Sequence, residues 1–192
     1  MRLFFAVMLP HELREAAAQT QAALRAVAGE DGIRWVRDDQ MHLTLKFLGE
    51  VPVPRAYRAV DAAQTVSATH APFDLALGGV GAFPTEARPS TLWVGLSAGR
   101  SAVEALAVDL DGALKRERFP SDRKALVPHL TLARVRSYAG EAAAVRALRA
   151  LQMAPTTSVR IDRFALVQST LGPQGSSYEV VEEFPLREHQ DA

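Results

Sequence analysis

His42-Leu43-Thr44-Leu45 occurs a second time, much later in the chain, as His129-Leu130-Thr131-Leu132. There are five histidines, and composition alone would give two of them the same three-residue sequel with a chance of about one in two hundred. In an extended strand successive side chains point to opposite faces, so each copy puts His and Thr on one face and two leucines on the other. One face is then polar and reactive, the other buried. Two such strands side by side would bring two imidazoles and two hydroxyls to a common point.

The 192 residues suffice for one sizeable core, or for two small lobes that share one. A hydrophobic fraction of 48% with 23% charged residues is that of a soluble globular protein. Twenty-two basic residues balance 22 acidic ones, so no global field points to nucleic acid or membrane, and any anion site must be local. Between Lys115 and Arg136 there is such a candidate. Lys115, Arg116, Arg118, Arg123, Lys124, Arg134 and Arg136 face only Glu117 and Asp122 there. A solvated arginine-rich loop is the plain alternative, at even weight. The absence of cysteine excludes disulfides, thiolate nucleophiles and zinc–thiolate sites. The apolar start, Met1 to Pro10, is too short for a signal peptide and lacks a small-residue cleavage site, so it reads as a buried first strand. No run approaches the roughly 18 apolar residues of a membrane span. A monomeric cytoplasmic protein without membrane association is expected.

The first strand covers Leu3 to Met8. Pro10 opens a helix with Leu13, Ala17, Leu24 and Val27 inward, and Gly29 ends it. Ile33 to Val36 is a short strand, and the first motif strand runs from His42 through Leu48. A second helix, Arg55 to Ala68, carries Tyr57, Val60, Ala63 and Ser67 on one side. Phe73, Leu75 and Leu77 alternate with Asp74, Ala76 and Gly78 as a half-buried strand, and Gly78 to Pro84 reads as a glycine-rich structural bend. After a strand at Thr91–Leu96, Ser101-Ala102-Val103-Glu104 has the form of a capping box. The helix behind it turns Val103, Leu106, Leu110 and Leu114 inward. Pro128 leads into the second motif strand, a helix follows near Gly140 to Leu151, and two strands, Val159–Gln168 and Tyr178–Phe184, flank the loop Leu171 to Ser176. The tail from Glu188 to Ala192 is polar and expected to be loose. Each motif strand has a helix before it and a helix after it. The pattern predicts an α+β, bilobal fold: two similar lobes meeting at the motif strands, kept as one domain over residues 1–192.

Histidine titrates near neutrality, so one imidazole can serve as acid and another as base in a single turnover. The threonine two residues on shares the strand face, where its hydroxyl can hold a phosphoryl oxygen or a water. Two His and two Thr around one point suit in-line attack of water on a phosphodiester. No metal or other cofactor is required by this set, and two imidazoles without a third ligand make a poor zinc site. His11, His70 and His189 read as ordinary histidines. A serine hydrolase with Ser169 or Ser97 as nucleophile lacks a G-x-S-x-G elbow.

The two H-x-T-x motifs, with Lys46-Phe47-Leu48-Gly49-Glu50 after the first and Pro128 before the second, resemble those of the two-histidine phosphoesterases. Within that group the chain is similar to the RNA 2′,3′-cyclic phosphodiesterases, also described as 2′-5′ RNA ligases. The similarity extends over Leu3-Phe4-Phe5-Ala6-Val7, Gly79-Val80-Gly81-Ala82-Phe83-Pro84, Leu92-Trp93-Val94-Gly95 and Gly175-Ser176-Ser177-Tyr178. It implies a bilobal α+β fold, mostly antiparallel sheets flanked by helices, with a central cleft holding both motif strands. It further implies metal-independent hydrolysis of an RNA terminal 2′,3′-cyclic phosphate, or of a nucleotide bearing one, to a 2′-phosphate. By that pattern His42 is the proton donor and His129 the proton acceptor, while Thr44 and Thr131 grip the phosphate. The alternatives are ligation by the reverse reaction, and a binding module without catalysis.

Arg134, five positions after His129, matches a phosphate-binding arginine of the family. Strict alternation, however, places Arg134 on the leucine face. A bulge after Leu132, a side chain reaching round the strand end, or a wrong assignment would each resolve the conflict. RNA ends are commonly held by stacking on aromatic rings. Phe47, Tyr178, Phe83 and Trp93 are the candidates, with Phe83 and Trp93 better placed in the core and Phe47 on the leucine face by parity. Val127 departs from the family pattern, which has a bulky aromatic there, and is expected to loosen the packing behind His129.

Overall fold

The computed structural model describes residues 1–172 and 175–187. Its elements in chain order are β1 (Arg2–Met8), α1 (His11–Ala28), β2 (Ile33–Trp35), β3 (His42–Glu50), α2 (Val53–Ser67), β4 (Phe73–Thr85) and β5 (Arg88–Ala98). They continue as α3 (Arg100–Arg116), β6 (Leu130–Val135), α4 (Tyr138–Ala150), β7 (Val159–Ile161), β8 (Arg163–Gly172) and β9 (Gly175–Pro185). The tail 188–192 and positions 173 and 174 of the last loop lie outside the described residues, as does His189.

Every strand pairing is antiparallel, and the order across the sheet is β7-β4-β5-β6-β3-β1-β8-β9, with β2 added beside β6. The motif strands β3 and β6 meet in the middle of that order, joined at Leu43 and Leu130. Two four-stranded halves thus flank one seam, as the bilobal reading expects. The halves are not consecutive pieces of chain. β4, which follows the first motif, pairs with β5, and β8, which follows the second, crosses over to pair with β1. Each lobe is therefore completed by a strand from the other half of the sequence, and no linker is needed to join them.

The leucine faces point at the helices. Leu43, Leu45, Leu130 and Leu132 are buried, and so are Leu13, Ala17 and Leu24 of α1 and Val103, Leu106, Leu110 and Leu114 of α3. Val27 is exposed, because the inward stripe runs from Leu24 to Ala28, which packs against the core, and leaves Val27 beside it. In α2 the buried side chains are Ala56, Ala59, Ala62, Ala63, Val66 and Ser67, while Tyr57 faces out. The expected face was rotated: small side chains let α2 lie close on α3, so alanines rather than the larger Tyr57 sit inward.

Three local readings are corrected. The stretch Gly78 to Pro84 is not a bend but the second half of β4, irregular at Gly78 and Gly79 and paired with β5 from Val80 onward. Its glycine at 81 makes room for an indole, since a Cβ there would lie 2.4 Å from the Trp93 ring. The capping box does not form, because α3 starts at Arg100 with Gly99 as N-cap at φ +82°. A Cβ on Gly99 would stand 2.5 Å from the Asp74 carbonyl oxygen, so the close approach of β4 sets the helix start. The strand expected over Val159–Gln168 breaks at Asp162. The break lets β7 finish one lobe on β4 and β8 begin the other on β1.

Candidate active site

The register at the seam arranges the reactive groups. With Leu43 opposite Leu130, one step either way along the antiparallel pair sets His42 across from Thr131 and Thr44 across from His129. The four side chains form a crossed square that lines a single cleft of about 1020 Å³.

Both motif strands then carry a bulge at the same place. On β3, Thr44 pairs with Ala6 and Lys46 with Phe5, which leaves Leu45 as an extra residue. On β6, Thr131 pairs with Trp93 and Ala133 with Leu92, which leaves Leu132 extra. A bulge puts two residues opposite one and inverts the alternation beyond it. Lys46 and Ala133 consequently turn inward and are buried, while Phe47 and Arg134 turn into the cleft. This is the bulge after Leu132 that the Arg134 assignment required. The same device overrides the parity that placed Phe47 with the leucines. Gln21 of α1 supports the second bulge: its buried amide donates to the carbonyl oxygens of Val36 at 2.7 Å and Leu132 at 2.8 Å.

The two imidazoles are fixed alike. Nδ1 of His42 lies 2.7 Å from the Gln40 carbonyl oxygen, and Nδ1 of His129 lies 2.7 Å from that of Val127. A carbonyl only accepts, so Nδ1 carries the hydrogen in both rings and Nε2 is left for the cleft. The amide of Gln40 in turn donates to the Ser176 carbonyl on β9. Val127 acts through its backbone; its side chain is exposed at the cleft rim, so it does not back His129, and the expected loosening does not follow. Phe83 fills that role, edge-on with its ring 4.8 Å from the imidazole, with Trp93 at 6.5 Å. His42 is held between Phe4 at 4.8 Å and Tyr178, edge-on at 5.1 Å.

Burial lowers the pKa of His42 below its ordinary 6.5; the Gln40 hydrogen bond offsets part of this, and the charge on His129 adds to it. His129 is lowered for the same first reason, offset by Val127 and reinforced by the Arg134 guanidinium. In the free site both imidazoles therefore favour the neutral form. The unfolded chain binds more protons than the folded one between the two sets of values, so stability rises with pH there. This contribution is complete above 6.5 and is lost as pH falls through the folded values. The chain is expected to melt at a lower temperature at about pH 5 than at about pH 7.5, and by a wider margin than a His42→Gln/His129→Gln double variant. Calorimetry at the two pH values checks it, and equal margins would contradict the shifts.

The sequence candidates divide cleanly. His42, Thr44, His129, Thr131, Arg134, Phe47 and Tyr178 all line the one cleft. Phe83 also lines it, and Trp93 lies beneath His129 rather than in the remote core. Ser97 donates its hydroxyl hydrogen to the Leu77 carbonyl, and Ser169 makes no hydrogen bond to either histidine among the described residues. His70 pairs with Asp109, and His11 lies near Glu15. Sequence reasoning missed Phe4, which alternation along β1 could have placed on the histidine side, and the carbonyls of Gln40 and Val127, for which side chains give no signal. Among the described residues no group of three or more His, Cys, Asp and Glu comes together as a metal site, and no helix is long and apolar enough to cross a membrane.

A bilobal antiparallel α+β fold with one His-x-Thr strand from each lobe at its centre is that of the two-histidine phosphoesterases. A family model described as LigT like phosphoesterase matches residues 7–93 and again 94–178, and the chain belongs to that family. An RNA 2′,3′-cyclic phosphodiesterase of Thermus thermophilus is 36% identical over 194 residues, covering 97% of this chain and 91% of the relative. One from Aquifex aeolicus is 33% identical over 154 residues, covering 80% and 81%. Among solved structures, a Thermus thermophilus protein superposes with a TM-score of 0.80 at 32% identity, covering 98% of this chain and all of its own. E. coli LigT bound to 3′-AMP superposes with a TM-score of 0.76 at 26% identity, covering 97% and 98%.

Proposed function

We propose that this chain is an RNA 2′,3′-cyclic phosphodiesterase that opens a terminal cyclic phosphate to a 2′-phosphate by histidine acid–base catalysis. The observation that carries the reading is the matched pair of imidazoles, each with Nδ1 tied to a carbonyl at 2.7 Å and each offering Nε2 to the same cleft. A binding module would have no use for two proton-transfer groups fixed in this way. The names of the relatives, and the 3′-AMP held by E. coli LigT, support RNA ends and nucleotides as the substrate class.

In this mechanism neutral His129 takes a proton from water through Nε2 as the water oxygen attacks phosphorus. His42, protonated on Nε2, gives its proton to the departing 3′ oxygen, and the phosphate stays on the 2′ oxygen. The nearby Arg134 charge favours the neutral form that a base needs at His129. His42 requires a proton against its burial, and the negative charge of the bound phosphate supplies the opposing pull. Thr44, Thr131 and Arg134 hold the non-bridging oxygens; Phe47 and Tyr178 offer ring faces and edges for the base. The reaction needs no metal or cofactor, and the enzyme is taken to act as a cytoplasmic monomer.

Incubation with an RNA oligomer ending in a 2′,3′-cyclic phosphate, in EDTA, tests the proposal. Conversion to a 2′-phosphate is expected. A folded chain that leaves the substrate intact would overturn it, and activity that vanishes in EDTA and returns with a divalent ion would overturn its metal independence.

A further inference from the structure

We propose that Arg34 binds the phosphodiester on the 5′ side of the terminal nucleotide, so that the enzyme selects RNA ends over free nucleoside cyclic phosphates. This deepens the cyclic-phosphate reading above and rests on it.

Three observations lead there. First, β2 pairs with β6 so that Arg34 lies directly opposite Arg134, and both line the cleft together with Arg136. Directly opposed residues of an antiparallel pair share a face, and like charges in that position repel. Second, nothing in the protein relieves the repulsion. Some exposed arginines elsewhere pair with carboxylates, as Arg37 does with Asp39, Arg100 with Glu104 and Arg163 with Glu183. Among the described residues Arg34 and Arg136 have no such partner, and Arg134 makes only a long hydrogen bond of 3.5 Å to Thr91. An unpaired cationic cluster inside a cleft is a site for a group of opposite charge.

Third, the cluster sits at the correct end. Along β6 the residue opposite His42 is Thr131, and the next cleft-facing row, past the bulge, is Arg134 with Arg34 across from it. The arginine row therefore continues beyond the His42 end of the crossed square. His42 protonates the 3′ oxygen, and that oxygen is borne by the ribose carbon next to the one that carries the 5′ methylene. The chain of the RNA accordingly leaves the site at the His42 end, and its first internucleotide phosphate meets the arginine row. Arg134, close enough to His129 to lower its pKa, serves the cyclic phosphate; Arg34 is left for the diester. A planar guanidinium suits two oxygens of one phosphate.

The test compares three substrates that share one terminal nucleoside: the nucleoside 2′,3′-cyclic phosphate, the same compound with a 5′-phosphate, and a dinucleotide ending in the cyclic phosphate. Wild type is expected to favour the second and third over the first by about tenfold or more in kcat/KM, mainly through KM, since charged hydrogen bonds are worth that much. In Arg34→Gln the preference should collapse towards one, while turnover of the plain nucleoside stays within about twofold of wild type. The variant should melt no lower than wild type, since a like-charge contact is removed. Equal rates on all three substrates in wild type would overturn the inference, as would an Arg34→Gln variant that keeps the preference. A gain with the dinucleotide alone would assign the effect to the second base and likewise overturn it. No hydrolysis of any of the three would instead defeat the cyclic-phosphate reading itself.

Discussion

Alanine at His42 or at His129 is expected to cut kcat on a 2′,3′-cyclic phosphate by about 10² to 10⁴, the usual worth of one positioned acid or base. Folding should survive either change, because both rings border the cleft rather than the leucine core, and circular dichroism with a thermal melt checks this. The two groups act in one step, so the double variant should lose far less than the product of the single losses. The pH profile assigns the roles that near-symmetric motifs leave open. Wild type should give a bell, its acid limb set by the base that must be neutral and its alkaline limb by the acid that must be protonated. His129→Ala should lack the acid limb and His42→Ala the alkaline limb. Exchange of those limbs would reverse the assignment, and substantial activity in either variant would remove histidine catalysis altogether.

The sequence was legible up to the fourth residue of each motif and misleading just after it. Period-two alternation placed the His-Thr and leucine faces correctly, because the pairing is regular from His42 to Thr44 and from Leu130 to Thr131, and the extra residues Leu45 and Leu132 stay inward. Beyond that point a bulge inverts the faces, and a bulge is a property of two paired strands that a single strand's residues do not encode. Its only trace was a contradiction, a family arginine on what parity made an apolar face. Phe47 stood in the same contradiction, with parity counting against it as a base contact. The pairing of β4 with β5 and of β8 with β1 was hidden for a similar reason. Which strand completes a lobe depends on how the helices pack, not on the strand's own pattern. The start of α3 shows the limit at short range: a good capping sequence at Ser101 lost to the close approach of Gly99 to Asp74.

Replacing Lys46 by methionine is expected to destabilise the fold by about 2 kcal/mol and to slow turnover by about tenfold. The first bulge turns this lysine inward, where it is 3% exposed. Its ammonium reaches Asp111 Oδ1 of α3 at 2.5 Å, Asp122 Oδ1 at 3.0 Å and the Pro120 carbonyl oxygen at 2.9 Å, one partner for each hydrogen. Methionine fills the channel but leaves both carboxylates without a counter-charge. Stripping one partner from a fully buried pair costs about 3–5 kcal/mol, but Asp111 and Asp122 are 26% and 56% exposed and recover part of their hydration. The reduced figure corresponds to a fall in Tm of about 4–8 °C for a chain of this size. The kinetic effect follows from connectivity, because Pro120 and Asp122 belong to the segment that delivers Val127 and His129. Displacing the His129 imidazole by about 1 Å is enough for such a loss. The pH dependence identifies the cause. Burial pushes the Asp111 carboxyl up, yet the hydrogen bonds from Lys46 and from the Asp122 backbone hold it below its ordinary 3.8. The folded state is therefore favoured by the ionised form, and the contribution is present above 3.8 and lost as pH falls through the folded value. Wild type and Lys46→Met should differ by a constant margin from neutrality to about pH 5 and converge below it. Denaturant melts across that range measure the margin. A margin that is absent at neutral pH would mean that the two carboxylates rehydrate fully, and that the segment before His129 is held by its apolar contacts rather than by this lysine.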